Sequence, residues 1–334
     1  PFPTDLVTEM LRGKKGVVVL ERVDQPLAVD PPLLREIRAA MTKALENGRS
    51  LNGRPYPGVA AVRPEEMPDF YSGGFGFGSR DLQPGDIVAA VENMLEGGRK
   101  QRQFYLGIDF IRKGTRLPKL QVWQEQLLEA YPHLETLALE PAGKLNLMPK
   151  GSISLRIHSV GGWGAITMGK NLALTAFELA GLHVKANPKY GSEKKGQPTT
   201  FYATLAHEPI RLNAELKHVN VVLSPDGNVF RHSNPLAGLS DGGVFIIQSE
   251  LEPEELWKQL PASAQEDIIK RNIKVYALDG FKIAMDEASD PELRYRMQGA
   301  AFMGAFFRCS PLAEQEGLTE EKLFAGISEQ LQRK

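Results

Sequence analysis

Two α/β domains are the architecture this sequence predicts, and three observations carry the expectation. Short β-branched runs alternate with helical patterns through both halves of the chain. The 334 residues exceed what one hydrophobic core usually fills, about 250 to 300 residues. A Pro- and Gly-rich stretch from Glu140 to Gly151, holding Pro141, Gly143, Pro149 and Gly151, interrupts the alternation. The expected domains are therefore residues 1–140 and residues 151–334, the second a mixed-sheet sandwich with flanking helices.

In the first half, Val17 to Leu20 reads as a buried strand, Leu33 to Leu45 as an amphipathic helix stopped by Asn47-Gly48, and Gly58 to Val62 as a second strand. Residues 63–86 read as one long loop, with Gly73-Gly74, Gly76 and Gly78 interleaved among Phe70, Tyr71, Phe75 and Phe77. A loop of that length is expected to be functional or to pack on a partner. Pro84 then suits the first turn of a helix that closes at Gly97-Gly98. Phe104 to Ile108 reads as a strand, Trp123 to Ala130 as a helix and Thr136 to Leu139 as a short strand.

In the second half, Ile153 to His158 is an expected strand and Ala165 to Ala180 a helix ended by Gly181. Strands are expected at Val184 to Ala186, Thr199 to Leu205, Val219 to Leu223, Val244 to Gln248 and Ile273 to Leu278, with helices through Glu254 to Ile269 and Pro291 to Arg308. Thr319 is placed to cap a last helix whose first turn carries Glu320 and Glu321. There is no internal repeat and no low-complexity tract.

Composition excludes several classes. With 40 basic against 41 acidic residues the net charge is −1, which is no footprint for nucleic acid and no polybasic path to a membrane. No apolar run approaches the roughly 20 residues that span a bilayer, and the N-terminus lacks a signal pattern. A soluble, cytoplasmic protein is expected. The single cysteine, Cys309, lies in an apolar helical pattern, Phe306-Phe307-Arg308-Cys309, and reads as a buried, inert thiol. One cysteine supplies neither an internal disulfide nor the four ligands an iron–sulfur cluster normally needs. Pro1 opens the sequence without an initiator Met, as in a processed or split piece of a longer enzyme or a numbering that starts partway along one.

The residues that carry chemistry lie in two stretches. Arg156-Ile157-His158-Ser159-Val160-Gly161-Gly162-Trp163-Gly164-Ala165 puts three glycines between a β-branched run and a helical pattern, so bare backbone N–H groups converge on an anion at a helix N-terminus. Tyr190-Gly191-Ser192-Glu193-Lys194-Lys195-Gly196 sets two lysines between glycines, where their ammonium groups meet the same ligand as point charges. The pair reads as a clamp for a phosphorylated cofactor, against a bland reading of packing glycines and a solvated lysine pair.

Other motifs are weaker. Gly164 to Asn171 nearly spells a phosphate-wrapping ATPase loop, but Asn171 replaces the hydroxyl that would hold Mg²⁺ and the stretch is itself a helical pattern. Gly162-Trp163-Gly164 begins a dinucleotide fingerprint, yet Thr167 stands at the third glycine and Asn187 near the acidic position. His158, His207, His218 and His232 lack metal-ligand spacing and read as satisfied or exposed. No Ser-His-Asp, Cys-His or His-Glu-x-x-His constellation is visible, and neither is the Gly-Asp-Gly run that holds thiamine diphosphate through Mg²⁺.

Both glycine and lysine stretches resemble the gamma domain of 2-oxoacid:ferredoxin oxidoreductases, the pyruvate:ferredoxin oxidoreductase group, in which a Gly-Gly-x-Gly-Ala turn precedes a helix and a Tyr-Gly-Ser-Glu-(Lys/Arg)-(Lys/Arg)-Gly loop follows. Here the variable position is Trp163, where many split-subunit members have Gln. Upstream, Gly76 to Ile87 and Phe104 to Asp109 resemble the linker between domain II and the gamma domain of the single-chain enzymes. Pro1-Phe2 and Val17 to Arg22 resemble the start of that domain II, so the resemblance covers almost the whole chain.

The resemblance implies a transketolase C-terminal-like domain II in residues 1–140 and a coenzyme A-binding gamma domain in residues 151–334. It implies that Ser159, Val160, Gly161, Gly162, Trp163 and Gly164, with Lys194 or Lys195, contact coenzyme A, and that Asn272 and Arg294 border the same cofactor. The implied enzyme oxidatively decarboxylates a 2-oxoacid, pyruvate by default, to acyl-coenzyme A, CO₂ and reduced ferredoxin, or runs the reverse carboxylation. Thiamine pyrophosphate, Mg²⁺ and [4Fe-4S] clusters would then lie on partner chains, and this chain alone would be inactive. Two readings from other classes stay open: a non-catalytic nucleotide- or phosphate-binding module, and an NAD-dependent oxidoreductase.

Overall fold

The computed structural model describes residues 1–25, 27–108, 118–143, 145–189, 196–287 and 294–332. They form two compact units, Pro1–Leu145 and Asn146–Lys334.

The first unit contains α1 (Thr4–Leu11), β1 (Gly16–Glu21), α2 (Pro32–Arg49), β2 (Asp69–Gly74), α3 (Pro84–Met94), β3 (Gln103–Tyr105), α4 (Pro118–Ala130) and α5 (His133–Leu137). The strands form a parallel sheet in the order β1-β2-β3. One face is closed by Leu34, Ile37 and Met41 of α2, packed with Val19 and Val62. The other is closed by Ala90 of α3 with Tyr71, Phe104 and Leu106. The buried carboxylate of Glu21, at the end of β1, accepts the N–H groups of Leu33 (2.7 Å) and Leu34 (3.1 Å) and so caps α2 from the sheet.

Several sequence expectations fail in this unit for identifiable reasons. The helix expected to stop at Asn47-Gly48 runs on to Arg49. The Asn47 amide donates to the carbonyls of Tyr56 and Val59, and a Cβ at residue 48 would fall 2.1 Å from the carbonyl oxygen of Val62, so the two residues seat a loop against the helix instead of ending it. That loop is the expected strand Gly58 to Val62. Val62 is buried and Val59 partly buried against α2, and the N–H of Val62 bonds to the carbonyl of Ala44 (2.9 Å) instead of to a neighbouring strand.

The long loop expected at 63–86 contains β2, the central strand. Gly73 and Gly74 hid it: a Cβ at either would lie within 3 Å of the Phe104 or Tyr105 rings of the neighbouring strand, so aromatic side chains occupy the space. Thr136 to Leu139 is mostly the last turn of α5, and only Ala138 bridges to Tyr105. The strand expected to reach Ile108 ends at Tyr105, just before Gly107 takes φ +70°.

The second unit follows with β4 (Ile153–Val160), α6 (Ala165–Ala180), β5 (His183–Lys189), β6 (Pro198–Ala206), β7 (Val219–Ser224), β8 (Leu239–Gln248), α7 (Pro253–Gln259), α8 (Ala262–Lys270), β9 (Lys274–Leu278), α9 (Gly280–Glu287), α10 (Arg294–Cys309), α11 (Leu312–Gln315) and α12 (Glu320–Gln332). All the strands expected here are present, whereas α9 and α11 were not expected. The sheet runs β5-β6-β4-β7-β8-β9, with β4, β7, β8 and β9 parallel and β6 antiparallel to both of its neighbours, β4 and β5.

Alternation along each strand divides the core. Leu155, Ile157, Val221, Leu223, Val244 and Ile246 meet α6 and α10, and Val222, Phe245 and Ile247 face α7 and α8. The chain is thus mixed α/β throughout. Among the described residues no helix is long and apolar enough to cross a membrane.

Candidate functional site

The glycine turn lies where the sheet makes such turns useful. After β4 the chain enters α6 on one face, while after the parallel neighbour β7 it passes through Val229 and Leu236 on the other. Chains leaving adjacent parallel strands to opposite faces open a crevice at the carboxyl ends, the usual ligand position of such sheets. Gly161 to Gly164 forms one lip of it.

Local chemistry fixes the turn. Gly162 takes φ +96° and Gly164, the N-cap of α6, φ +80°, conformations that cost little only for glycine. The Trp163 N–H bonds to the Val160 carbonyl (3.1 Å), and the Met168 N–H closes the first helical bond onto Gly164 (2.8 Å). In a helix the first N–H groups have no carbonyl one turn back, so the 16-residue α6 aims Ala165, Ile166 and Thr167 donors and its positive dipole end at the crevice. The ATPase-loop reading fails here: Thr167 to Lys170 lies inside α6, and Gly169 is there because a Cβ would lie 2.4 Å from the Phe201 ring.

Lys194 and Lys195 lie outside the described residues, but their flanks do not. Gly196 donates to the Gly161 carbonyl (3.0 Å), and Gly161 donates to the Gln197 carbonyl (2.7 Å), so the strand that leaves the lysine stretch is bonded directly to the glycine turn. On the entering strand, Lys189 Nζ meets Glu215 Oε2 at 2.6 Å, and Glu215 also accepts the Tyr202 hydroxyl at 2.9 Å. Burial raises the Glu215 carboxyl, and Lys189, Lys217 and Tyr202 outweigh it and hold the group below the ordinary carboxylate range.

Three side chains that sequence reasoning did not single out converge on the same sheet end. Gln298 of α10 donates from Nε2 to the Pro225 carbonyl just beyond β7 (2.8 Å). Gln248, the last residue of β8, accepts the Gly280 N–H (3.0 Å) and donates to Asp279 Oδ1 (3.1 Å), which fixes the start of α9. Phe281, next in α9, sets its ring edge-on to Trp163, centroids 5.5 Å apart. Gln298 closes the stretch Arg294-Tyr295-Arg296-Met297-Gln298, from which the resemblance pointed to Arg294, and for Gln248 a polar residue ending an apolar run was the signal available.

Two buried polar atoms at this end have no hydrogen-bond partner, Ser159 Oγ and Gln298 Oε1. On the opposite face His158 departs from the expectation of a satisfied or exposed ring: its Nε2 is buried without a partner. Burial, then the charges of Arg156 and His232, push its pKa down to about 3, so it is neutral. The buried guanidinium of Arg156 donates to the Pro235 and Ala237 carbonyls (2.7 and 2.6 Å), tying the segment after β7 to β4. His232 follows expectation, paired with Asp226 at 2.7 Å, and His207 pairs with Glu316 at 3.0 Å. Among the described residues no group of three or more His, Cys, Asp or Glu is placed to hold a metal. Cys309, partly buried, has its thiol pushed up by burial.

Of the remaining predicted site residues, Arg294 opens α10 one turn before Gln298, at the crevice end. Asn272 does not join them. Leu155, Val221, Val244 and Lys274 are side by side in the register, so Asn272 lies level with Ile153, at the amino ends of the strands. It stands about 25 Å along the strands from Gly161 and about 14 Å across them. Its left-handed φ of +49° terminates α8: its N–H bonds to Ile269 (3.3 Å) and that of Ile273 to Ile268 (3.0 Å), a Schellman closure with Asn where Gly is commoner.

Comparison with known proteins gives this geometry a family. Residues 154–334 match the family model described as pyruvate ferredoxin/flavodoxin oxidoreductase. The common gamma subunit of the pyruvate/ketoisovalerate oxidoreductases of Thermococcus kodakarensis is 30% identical over 176 residues, covering 52% of this chain and 88% of that subunit. The pyruvate:ferredoxin oxidoreductase of Moorella thermoacetica is 22% identical over 303 residues, 90% of this chain but 22% of that protein. Among solved structures, the pyruvate oxidoreductase subunit PORC of Thermotoga maritima is 21% identical and covers 53% of this chain and 92% of that one, with a TM-score of 0.39.

Proposed function

This chain belongs to the pyruvate ferredoxin/flavodoxin oxidoreductase family, and on that premise we propose that it is one part of a 2-oxoacid:ferredoxin oxidoreductase, the part that binds coenzyme A. In this reading the complete enzyme converts a 2-oxoacid, pyruvate by default, and coenzyme A into acyl-coenzyme A, CO₂ and reduced ferredoxin, or runs the reverse. The chain matches 22% of the length of the single-chain relative, and its one cysteine falls short of the four a cluster needs, so in this reading thiamine pyrophosphate, Mg²⁺ and [4Fe-4S] clusters are held by parts of the enzyme outside residues 1–334. Residues 1–145 are read as the domain II counterpart and residues 146–334 as the gamma domain. A cytoplasmic location follows from that role.

The observation that carries the reading is the join between Gly161 and Gly196, which binds the strand leaving the lysine stretch to the turn at the N-terminus of α6. The residues present suit a pyrophosphate-bearing ligand. Backbone donors at a helix start offer hydrogen bonds to phosphate oxygens, and Lys194 and Lys195 would add charge. Bound coenzyme A supplies the thiol that accepts the acyl group, and this chain's residues hold its phosphates and exclude water from the crevice. A nucleotide module without catalysis, and an NAD enzyme, are less supported, because the second lacks the acidic residue that holds a ribose.

Calorimetric titration of the chain with coenzyme A tests the reading. The double variant Lys194→Ala/Lys195→Ala should bind at least about tenfold more weakly, since each charge-assisted contact is worth roughly 1.5–3 kcal/mol. Its melting temperature should stay unchanged. Equal affinity in the variant, or no binding by the native chain, would overturn the assignment.

A further inference from the structure

Trp163 follows β4 and Phe281 follows β9, three strands away in the sheet, yet their rings are in contact at 5.5 Å. The contact therefore crosses over the carboxyl ends of β7 and β8. Below it lie Pro225, held by Gln298, and Gln248, which holds the start of α9. Ser159 continues the register of Ile157 with Leu223 and so sits level with Pro225, on the face that meets α6 and α10.

This is also where the two unpaired polar atoms lie. Ser159 is 1% exposed and Gln298 fully buried, and both Ser159 Oγ and Gln298 Oε1 are without a partner. Native proteins rarely leave buried acceptors open, and exceptions mark a missing water or ligand. An amide oxygen only accepts, so the group that completes Gln298 must be a donor. Phosphate oxygens at neutral pH are acceptors and belong to the turn, not to this position. The position takes a neutral donor, such as an amide N–H, carried on something narrow enough to pass an aromatic pair.

Resting on the coenzyme A reading, we propose that Ser159 and Gln298 form a second subsite, roofed by Trp163 and Phe281, that receives an amide N–H of the cofactor's thiol-bearing pantetheine arm. Trp163 stands between two glycines with positive φ, Gly162 and Gly164, which let its backbone turn aside without strain as the arm enters. The nucleotide phosphates are held at the turn and the arm is threaded past the carboxyl ends of β4, β7 and β8, which directs the thiol away from the turn.

The test compares two ligands on one variant of the full chain by calorimetric titration. For Gln298→Leu, affinity for coenzyme A should fall about tenfold, the cost of a lost buried hydrogen bond. Affinity for 3′-phospho-ADP, which has the phosphates and adenine but no arm, should stay unchanged. If both affinities fall together, Gln298 acts only through Pro225 and the subsite is wrong; if neither falls, an internal water completes the acceptor and the subsite is equally wrong. Ser159→Ala, the smaller change, should show a loss confined to coenzyme A if Gln298→Leu does not fold. A native chain that binds neither ligand would instead refute the parent reading, a result distinct from either variant outcome.

Discussion

Replacing Asn272 separates a residue's place in a motif from its place in the fold. The Schellman closure requires a left-handed residue after α8, and Asn272 provides it at φ +49°. Alanine there bears a left-handed penalty of roughly 1 kcal/mol beyond that of Asn, which tolerates the region better than most residues. For a unit the size of residues 146–334, 1 kcal/mol moves the melting temperature by about 2–4 °C. Asn272→Gly, which has no such penalty, should melt at or slightly above the native temperature. Coenzyme A affinity should be unchanged in both, because about 25 Å of strand separates the residue from the glycine turn. Paired calorimetric melting and ligand titration of the two variants decide the matter. A tenfold weaker coenzyme A affinity in Asn272→Gly, with normal melting, would refute the placement of the site at the carboxyl ends of the strands.

Two stability predictions follow from buried groups. His158 is neutral in the fold, with a pKa of about 3 against an ordinary 6.5, so the unfolded chain binds a proton that the folded chain refuses. Its contribution is intact above pH 6.5 and is lost as pH falls toward 3, reaching roughly 2 kcal/mol by pH 5. Chemical denaturation between pH 7 and 5 should show that slope, and His158→Asn should flatten it; an identical slope in the variant would mean that the ring is not buried as described. Gly48→Ala should destabilise residues 1–145 by at least about 1 kcal/mol despite the better helix propensity of alanine, because the new methyl group meets the Val62 backbone carbonyl. Unchanged or improved stability in denaturant would show that the 56–62 loop is free to move off α2.

What the sequence disclosed depended on how local the cause was. The α6 boundaries were readable because Gly164 and Gly181 mark both ends with positive φ, and the second-unit strands because buried β-branched runs have few other uses. β2 was not readable, since its glycines are small to make room for rings on a strand 30 residues away. Gly58 to Val62 misled for the converse reason: burial against a helix produces the same apolar run as burial in a sheet. The site divides in the same way. The turn announced itself in Ser159 to Gly164, whereas Gln298, Gln248 and Phe281 acquire meaning only once strand order is known.

Strand order also accounts for the one predicted site residue that the fold places elsewhere. In the parallel part of the sheet the residues that directly follow a strand lie at the carboxyl end and those that directly precede one lie at the amino end. Gly161 to Gly164 follows β4, Pro225 follows β7 and Asp279 to Phe281 follows β9, so all of them reach the crevice. Asn272 precedes β9 and cannot. The start of α10, carrying Arg294, is brought back to the crevice by the bond from Gln298 to Pro225. Position relative to a strand's direction is therefore a stronger criterion for membership in this site than residue type. It predicts that further ligand contacts on this chain will come from the residues that directly follow β4, β7, β8 and β9 and from the start of α10, and that substitutions in the residues directly before β9 will act on stability alone.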